Sequence, residues 1–451
     1  MPIDSPHPVY KTMLPLYEQC LACVQGEDAV KRDGQKFLPR LHIRQPDDEY
    51  QAYLRRAFFL EATGRTSQAL VGSCFRKTPT VKVPRGIEEL VTPGVMKADM
   101  RALVNTGRCA VLVDRPQNGG KSYFVIYGGD EIINWFVDSD DKLVSLVLRE
   151  GYLAQDPKDE FVQTPKTRYR HLLMVDGQYT QRVYTQNDKQ AWVPSEEVVP
   201  RMRGIALDSL PVVIGTSFGL SNTEVPRPPI LPLAVANLQH YLYQADYNWG
   251  LHYTALPTPW VSGFDTGQVP ELSIGSSKAW ILPPQGSAGF LEFGGQGVAT
   301  LREALDSIEA SMASLGGRLL EKQKASAEAA ETVALRQAGE EAVIVDIAGS
   351  ASAILTEAAK IAARWEAQPD SEIEVVLHAD VLSGNMDPQK LTALVQALQT
   401  GSISRRIFFE QLAKGNMLPD DWTYEQEQAA RDVEEAQVVT PPKKGEVGGQ
   451  K

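Results

Sequence analysis

The sequence predicts an α+β protein in which helices and an antiparallel sheet occupy separate stretches of the chain. Residues 1 to about 90 place apolar side chains at three- and four-residue spacing, most clearly from Tyr50 to Phe75, which is typical of helices. From about 108 to 200 the spacing changes to two, which is typical of strands. Because these strands follow one another with the helices mainly before them, we expect antiparallel pairing rather than a doubly wound parallel sheet.

Turn and breaker residues divide this first part into elements. Thr78-Pro79 ends the early helical pattern, and a further helix is predicted around residues 94–107. Asp176-Gly177 predicts a turn between two strands. The proline-rich passage from Val225 to Pro232 reads as a stiff connector and marks a boundary. A helix is predicted after it, from about Leu233 to Thr254.

The middle of the chain predicts a small lobe between long helices. Residues 255–298 are rich in Gly, Pro and aromatic residues, with short strands expected at Ala279 to Leu282 and Phe290 to Phe293. From Val298 to about Trp365 helix-forming residues dominate. The Gly316-Gly317 pair and the polar stretch after it predict an interruption near residues 321–332, and therefore two helices.

The last part predicts a strand, helices and a tail. Residues 371–382 alternate as a strand that returns to the earlier sheet. Two helices are expected next, one capped by Asp387 with Pro388 in its first turn and one starting near Ser404. The polar, Gly- and Pro-rich end is expected to be disordered.

Composition narrows the classes of function. A formal net charge of −12 in 451 residues argues against broad electrostatic clamping of nucleic acid, which depends on many Lys and Arg side chains. No apolar run approaches the ~18 residues of a membrane span, so we expect neither export nor membrane insertion. Among the four cysteines only Cys20 and Cys23 are close, and we interpret them as small buried residues in a reducing cell.

Two glycine motifs resemble catalytic signatures, but their contexts favour loops. Gly215 to Gly219 matches the G-x-S-x-G nucleophile elbow, with Ser217 as the nucleophile of a serine hydrolase. The stretch after it is proline-rich and cannot supply the required helix. Asn118 to Ser122 resembles the end of a phosphate-binding loop, but Arg115 stands where the first glycine is required, and a hairpin turn is favoured.

Acidic residues and histidines do not form a metal site in the sequence. Asp138, Asp140 and Asp141 lack the glycine and the distal glutamate of a calcium loop, so a solvated turn is favoured. His240 and His252 are too far apart on one helix to share a metal. We therefore expect no metal, no cofactor and no catalytic residues.

Basic residues gather where the long helix is interrupted. Arg318, Lys322 and Lys324 lie beside the Gly316-Gly317 pair. In a single subunit they would be a solvated face. In a ring they would repeat once per subunit and form a positive girdle that could meet DNA.

Several stretches of sequence resemble a family of phage proteins. They are RAFFLEATGRTSQALVGSCFRKTP, GRCAVLVDRP, EIINW, LREGY, PPILPLAVANLQHYLYQADYNWGLHYTALPTPWVSG, FLEFGGQG and MASLGGRLL. They resemble the DUF4055-type group, which is regarded as portal-like. The order of predicted elements is also similar to that of bacteriophage portal proteins.

The resemblance implies the portal fold, an α+β architecture assembled as a ring. The implied parts are a wing over 1–228, a first stem helix over 229–254, a clip over 255–298, a second stem helix over 299–320, a tunnel loop over 321–332, a tunnel helix with a strand over 333–382, a crown over 383–437 and a tail over 438–451. The stem helices would pack against neighbouring copies through Leu238, Tyr241, Leu242, Trp249, Leu301, Leu305 and Ile308.

The resemblance also implies a role and partners. A portal is a homo-oligomer, typically a dodecameric ring, at one capsid vertex of the virion, and it is assembled in the host cytoplasm. Double-stranded DNA passes through its channel during packaging and ejection. Its other partners are the terminase large subunit, head–tail adaptor proteins, the major capsid protein and scaffolding proteins. The alternatives are a serine hydrolase using Ser217 and a helical scaffold protein, although residues 298–366 show no sustained heptad.

Overall fold

Five helices form most of the N-terminal region of the computed structural model. They are α1 (Pro8–Gln25), α2 (Glu27–Arg32), α3 (Asp47–Arg56), α4 (Ala62–Ser73) and α5 (Pro93–Thr106), with a 3₁₀ turn at Gly34–Lys36. The structure describes residues 2–116, 120–156, 159–195, 197–254, 258–263, 281–282, 284–291, 296–316, 330–379, 388–414, 417–418 and 422–438.

Helix α5 confirms the predicted helix and is capped at both ends. The Thr92 hydroxyl accepts from the Val95 amide, and Gly107 ends the helix with φ of 73°.

The helical pattern from Tyr50 to Phe75 breaks into two helices. Helix α3 ends at Arg56, Ala57 is extended with ψ of 138°, and α4 begins at Ala62. The predicted helical character of this stretch is confirmed, and buried Phe59 lies in the break between the two helices.

Two antiparallel sheets follow, and both confirm the predicted pairing. The strands are β1 (Thr80–Lys82), β2 (Arg108–Asp114), β3 (Tyr123–Gly128), β4 (Ile132–Val137), β5 (Leu143–Asp156), β6 (Asp159–Val175), β7 (Gln178–Gln186), β8 (Trp192–Pro194), β9 (Arg201–Met202), β10 (Ile205–Ala206), β11 (Val212–Thr216) and β12 (Gly219–Leu220). One sheet has the order β4-β5-β6-β7-β8 and the other β12-β11-β2-β3. Asp176 and Gly177 both have positive φ and form the predicted two-residue turn.

Helix α1 packs against these sheets to make the main core. Tyr10 and Tyr17 of α1 lie in one buried cluster with Trp135 and Leu146. The guanidinium of buried Arg108 lies 4.0 Å from the centroid of the Trp135 ring, which gives the charge a favourable partner.

The remaining elements comprise three long helices and short strands. They are α6 (Leu231–Thr254), β13 (Thr258–Ser262), β14 (Ser287–Leu291), α7 (Gln296–Ser314), α8 (Ala330–Trp365) and β15 (Glu374–Val376). Helix α7 ends at Ser314, whereas the second stem helix was predicted to run to residue 320, and residues 317–329 lie outside the described residues. The small lobe pairs β13 with β14. The strand expected at 279–282 was wrong at Ile281 and Leu282, which lie outside any strand, and residues 279–280 fall outside the described residues.

Strand β15 does not return to the earlier sheet as predicted. It pairs with β1 in a separate two-stranded ladder, with Thr80 opposite Val376 and Lys82 opposite Glu374. The Lys82 and Glu374 side chains form an ion pair of 2.6 Å across this ladder. A strand's alternation gives its faces but not its partner, so this pairing is decided by the tertiary structure.

Helix α8 contains a segment long and apolar enough to cross a membrane by length and composition. The segment is Ala342–Trp365. Its 18 most apolar consecutive residues have a mean hydropathy of 1.5, and half of them are buried inside the protein. It packs against α5, β2, β11, β12 and β15. A core helix of a folded domain has the same composition, and the packing of this segment is that of a core helix.

The chain forms two compact units, Met1–Ala379 and Asp380–Lys451. The second contains α9 (Pro388–Gln399), α10 (Arg405–Lys414) and α11 (Tyr424–Val438). Helices α9 and α10 confirm the two predicted helices, and the Ser404 hydroxyl caps α10. Helix α11 was not predicted, although Thr423 and Gln426 form a reciprocal capping box at its start. Asp387 and the tail beyond Val438 lie outside the described residues.

Candidate assembly surface

Helices α6 and α7 form an antiparallel pair. Near one end, His240 Nε2 lies 3.4 Å from Glu309 Oε1. Near the other end, a Cβ placed on Gly250 would lie 3.5 Å from Cγ2 of Val298. Since residue numbers rise along one helix as they fall along the other, the helices run in opposite directions. Strands β13 and β14 pair between them in the chain, so this region is a helix, a β-hairpin and a returning helix.

One side of α6 is anchored to the N-terminal helices. The buried Asn237 amide accepts from the Thr63 amide and hydroxyl at 3.2 and 2.8 Å and donates to the Leu60 carbonyl at 2.8 Å. The Tyr53 hydroxyl donates to Asp246 at 2.6 Å, and burial together with this hydrogen bond raises the pKa of Tyr53. These contacts hold α6 against the break between α3 and α4.

The other side of α6 is almost free of charge. Asp246 is the single Asp, Glu, Lys or Arg among its 24 residues, which also include His240 and His252. Val235 and Leu251 are exposed, and Leu238 and Leu242 are half-buried. Helices that face water normally carry charged residues on that side, so this side of α6 has the composition of a contact surface.

The predicted stem residues divide into two groups in the structure. Tyr241 and Leu305 are fully buried within the chain itself, and Tyr241 packs edge to face on Phe59 with ring centroids 5.8 Å apart. Leu238, Leu242, Trp249, Leu301 and Ile308 are half-buried. Only this second group has surface to offer another molecule. Arg318, Lys322 and Lys324 lie outside the described residues, so the structure does not place the predicted girdle.

Ser217 is not arranged as a nucleophile. It lies in the tight turn between β11 and β12, is 2% exposed, and its hydroxyl has no hydrogen-bond partner among the described residues. The first glycine of its motif has a packing role instead. A Cβ on Gly215 would lie 2.5 Å from Cδ1 of Ile354, so only glycine lets helix α8 approach β11 this closely. A strand follows the serine where a hydrolase requires a helix.

The described residues contain no group of three or more His, Cys, Asp or Glu side chains arranged for a metal ion. Asp138 forms the predicted turn, with its carboxylate accepting from the amides of Asp140 and Lys142 at 2.9 Å each. Cys20 and Cys23 are buried and free, and burial raises the pKa of Cys20 to about 12. A thiol with such a pKa is protonated and unreactive at neutral pH.

A buried charged cluster in the sheet was missed by the sequence interpretation. The Glu150 carboxylate accepts from Arg168, Arg170 and the Tyr127 hydroxyl, each at 2.5 Å. Burial by itself raises the pKa of Glu150, but the hydrogen bonds and positive charges of the arginines outweigh it and lower this pKa. The signal was present in the alternation, because Glu150 continues the inward-facing positions of Leu146 and Leu148.

Comparisons with known proteins point to the same part of the chain. A family described as a domain of unknown function (DUF4055) matches residues 229–366, which contain α6, the β-hairpin, α7 and α8. No curated protein matches the chain.

Three solved structures are similar at a low level. A chain in the virion of a native gene transfer agent (GTA) particle has a TM-score of 0.39 and 11% identity, covering 86% of this chain and 99% of that one. A chain from the neck of an empty GTA particle computed with C6 symmetry has a TM-score of 0.39 and 13% identity, covering 84% of this chain and 95% of that one. A chain from the neck of a native GTA particle computed with C12 symmetry has a TM-score of 0.39 and 13% identity, covering 82% of this chain and 94% of that one.

Proposed function

We propose that this chain is a subunit of a phage portal, a ring that forms the channel for DNA packaging and ejection at one capsid vertex of the virion. The observation that carries the proposal is the antiparallel pair of α6 and α7, joined through a small β-hairpin, with one side of α6 anchored and the other almost uncharged. The portal-like sequence resemblance, which includes this region, supports the same function. The role is mechanical, with no enzymatic step.

In this proposal the parts keep the portal order. Residues 1–228 are the wing, α6 and α7 are the stem, the β-hairpin between them belongs to the clip, and α8 is the tunnel helix. Residues 321–332 are the tunnel loop and 383–437 the crown. The uncharged side of α6 packs against a second copy through Leu238 and Leu242, whereas Trp249 packs edge to face on Tyr53 of its own chain with ring centroids 5.6 Å apart.

The acidic composition suits a channel through which DNA must slide. A net charge of −12 per subunit repels the phosphate backbone and opposes tight binding. Arg318, Lys322 and Lys324 would add a narrow positive girdle that holds DNA only transiently. The terminase large subunit would dock on the clip first and head–tail adaptor proteins later. The major capsid protein and scaffolding proteins would surround the ring.

Negative-stain electron microscopy of the purified chain tests the proposal directly. We expect rings with a central hole, formed in a concentration-dependent way, with or without added scaffolding protein. A chain that stays monomeric under all of these conditions would refute the portal assignment.

A further inference from the structure

The hairpin of β5 and β6 extends beyond the sheet that contains it. Strand β4 pairs with β5 only as far as Leu148, and β7 pairs with β6 only from Arg168 onward. In the ladders of the described residues, Gly151–Asp156 and Asp159–Thr167 therefore pair only with each other. We call these two segments the arm. At ~3.4 Å per residue the arm is roughly 20 Å long.

The arm is exposed along its whole length. Every residue from Asp159 to Thr167 is exposed, as are Gly151, Leu153 and Gln155. Phe161 is 86% exposed and Leu153 64% exposed. An isolated two-stranded hairpin is at best marginally stable in water, and large apolar side chains on it raise the cost of leaving it free.

The two faces of the arm differ in charge. Directly opposite residues of an antiparallel ladder share a face, which puts Leu153 with Pro165, Gln155 with Gln163 and Gly151 with Thr167. This face, which we call the uncharged face, has no acidic or basic residue at these six positions, and Asp159, two residues before Phe161, lies at its tip. The opposite face carries Tyr152 and Lys166, with the Arg168 guanidinium 5.4 Å from the Tyr152 ring centroid at its base.

The uncharged face fits a protein surface and not DNA. Binding to phosphates requires Lys or Arg side chains, and this face has none. Leu153 beside Pro165, with Phe161 nearer the tip, is instead the composition of a protein contact.

The small surface area of the arm limits which proteins can bind to it. One face of a two-stranded ribbon about 20 Å long offers roughly 200 Å², whereas a stable interface buries about 800 Å² on each partner. The arm therefore cannot recruit a separate protein by itself. It can only extend an interface that its partner already makes elsewhere.

We infer that the arm reaches across to a second copy of this chain and docks its uncharged face on that copy. This inference rests on the proposed ring, because there a neighbouring copy is already held through α6 and α7. The contact is head-to-tail, with the arm of each subunit on the body of the next, which is the type of contact that closes into a ring. This contact would hold neighbouring subunits together.

The test compares charges placed on the two faces of the arm of the full-length chain. One variant is Leu153→Lys with Phe161→Lys. The matched control is Val162→Lys with Thr164→Lys, which adds the same charge to the same hairpin. Thr164 is opposite Ala154 and lies on the other face. Assembly is measured by sedimentation velocity over a concentration series, and circular dichroism checks that each variant is folded.

We expect the first variant to reach half-assembly only at a protein concentration at least about ten times that of the wild type. A tenfold change corresponds to ~1.4 kcal/mol per contact. The control should assemble like the wild type. Equal assembly of the two variants would overturn the inference and leave the proposed function intact. A wild-type chain that never assembles would overturn both. Normal assembly of the first variant with loss of a contact to another phage protein would assign the arm to that protein and overturn the inference as well.

A cross-linking measurement covers the case in which lysines disturb the arm. The cysteines at 20, 23, 74 and 109 are buried, so a cysteine introduced by Phe161→Cys can be labelled selectively with a photoreactive maleimide. Irradiation of the assembled protein should give a dimer whose cross-linked peptides both come from this chain. A label that cross-links only within its own subunit would contradict the inference.

Discussion

Glu150 is the residue on which the charged cluster of the sheet depends. Its carboxylate balances Arg168 and Arg170 in a largely buried setting, with side-chain exposures of 10% for Glu150 and 12% for Arg170. Removing one partner of a buried ion pair leaves the other charge uncompensated, which costs ~3 kcal/mol or more. Loss of the Glu150 carboxylate should therefore destabilise the sheet from which the arm extends.

We predict that Glu150→Gln lowers the free energy of unfolding by ~3 kcal/mol at pH 7, measured by urea denaturation. Because the folded-state pKa of Glu150 is lowered, its contribution is present above the ordinary glutamate pKa and is lost as the pH falls through the folded-state pKa. The wild type and the variant should therefore converge in acid. The control is Glu197→Gln, which breaks an exposed pair with Arg182 and should cost less than ~1 kcal/mol. Equal losses in both variants would contradict the role of the buried cluster.

Asp99 gives a pH dependence of the opposite sign. It is fully buried on α5, where hydrogen bonding to the Cys109 thiol lowers its pKa, but burial is the larger effect and raises this pKa to about 7. Unfolded Asp ionises near ~3.9, so the folded state binds a proton that the unfolded state has lost. Stability from this group is therefore complete below pH ~4 and is lost as the pH rises toward 7.

We predict that Asp99→Asn removes this part of the pH dependence. The difference in unfolding free energy between variant and wild type should shift in favour of the variant from pH 5 to pH 8, measured by urea denaturation. Asp208→Asn, at an exposed aspartate, is the control and should follow the wild type. A constant difference across the range would show that Asp99 is ionised in the folded protein.

At the scale of elements, Asn237 links α6 to the break between α3 and α4. It satisfies the Thr63 amide and the Leu60 carbonyl, which otherwise have no helical partner at this break. The sequence predicted α6 correctly from its apolar spacing. It did not predict the break, because the backbone groups freed there are satisfied by a residue that lies 174 positions away.

Asn237→Ala should lower the free energy of unfolding by ~1–3 kcal/mol, because it leaves the buried Thr63 amide without its hydrogen-bond acceptor, whereas the Leu60 carbonyl still accepts from the Ala62 amide. Thermal and urea denaturation measure the loss. Gln239→Ala changes an exposed residue of the same helix and should have an effect within ~0.5 kcal/mol. If Asn237→Ala behaves like the control, α6 is held by its apolar contacts alone.

At the scale of the whole molecule, the proposed ring would assemble through the side of α6 that its own chain leaves uncovered. Leu238 and Leu242 lie half-buried there, whereas Tyr241 between them serves the internal core. The proposed interface therefore contains fewer residues than the set of stem residues predicted from the sequence. The difference arises because a helix buried on one side divides its apolar residues between two partners.

We predict that Leu238→Glu with Leu242→Glu abolishes rings in negative stain while the variant stays folded by circular dichroism. Buried acidic side chains from neighbouring copies would lose solvation and repel one another. Val193→Glu with Ile205→Glu places the same charges on exposed apolar residues of the sheet region and should still form rings. Rings of normal size from the stem variant would move the interface away from α6.

The proposed girdle predicts an effect on DNA without an effect on assembly. Lys322→Glu with Lys324→Glu should reduce the DNA retained in assembled particles, because each subunit would replace two positive charges by negative ones near the channel. Lys142→Glu with Lys189→Glu changes the net charge equally at exposed turns of the sheet. Unchanged packaging and retention in the first variant would remove the girdle from the proposal.

The sequence by itself determined the type of most elements. Two-residue spacing predicted the antiparallel strands, Asp176-Gly177 predicted a turn, and the three- and four-residue spacing of apolar side chains predicted the N-terminal helices, because these signals act within a few residues.

Only the tertiary structure decided which elements meet. Four features join residues that are far apart in the chain. They are the pairing of β15 with β1, the cluster around Glu150, the close approach of Ile354 to Gly215, and the division of α6 into an anchored and an uncovered side. Local propensity is the same whichever distant surface a residue packs against. The partner is chosen by burial and hydrogen bonding across the whole fold.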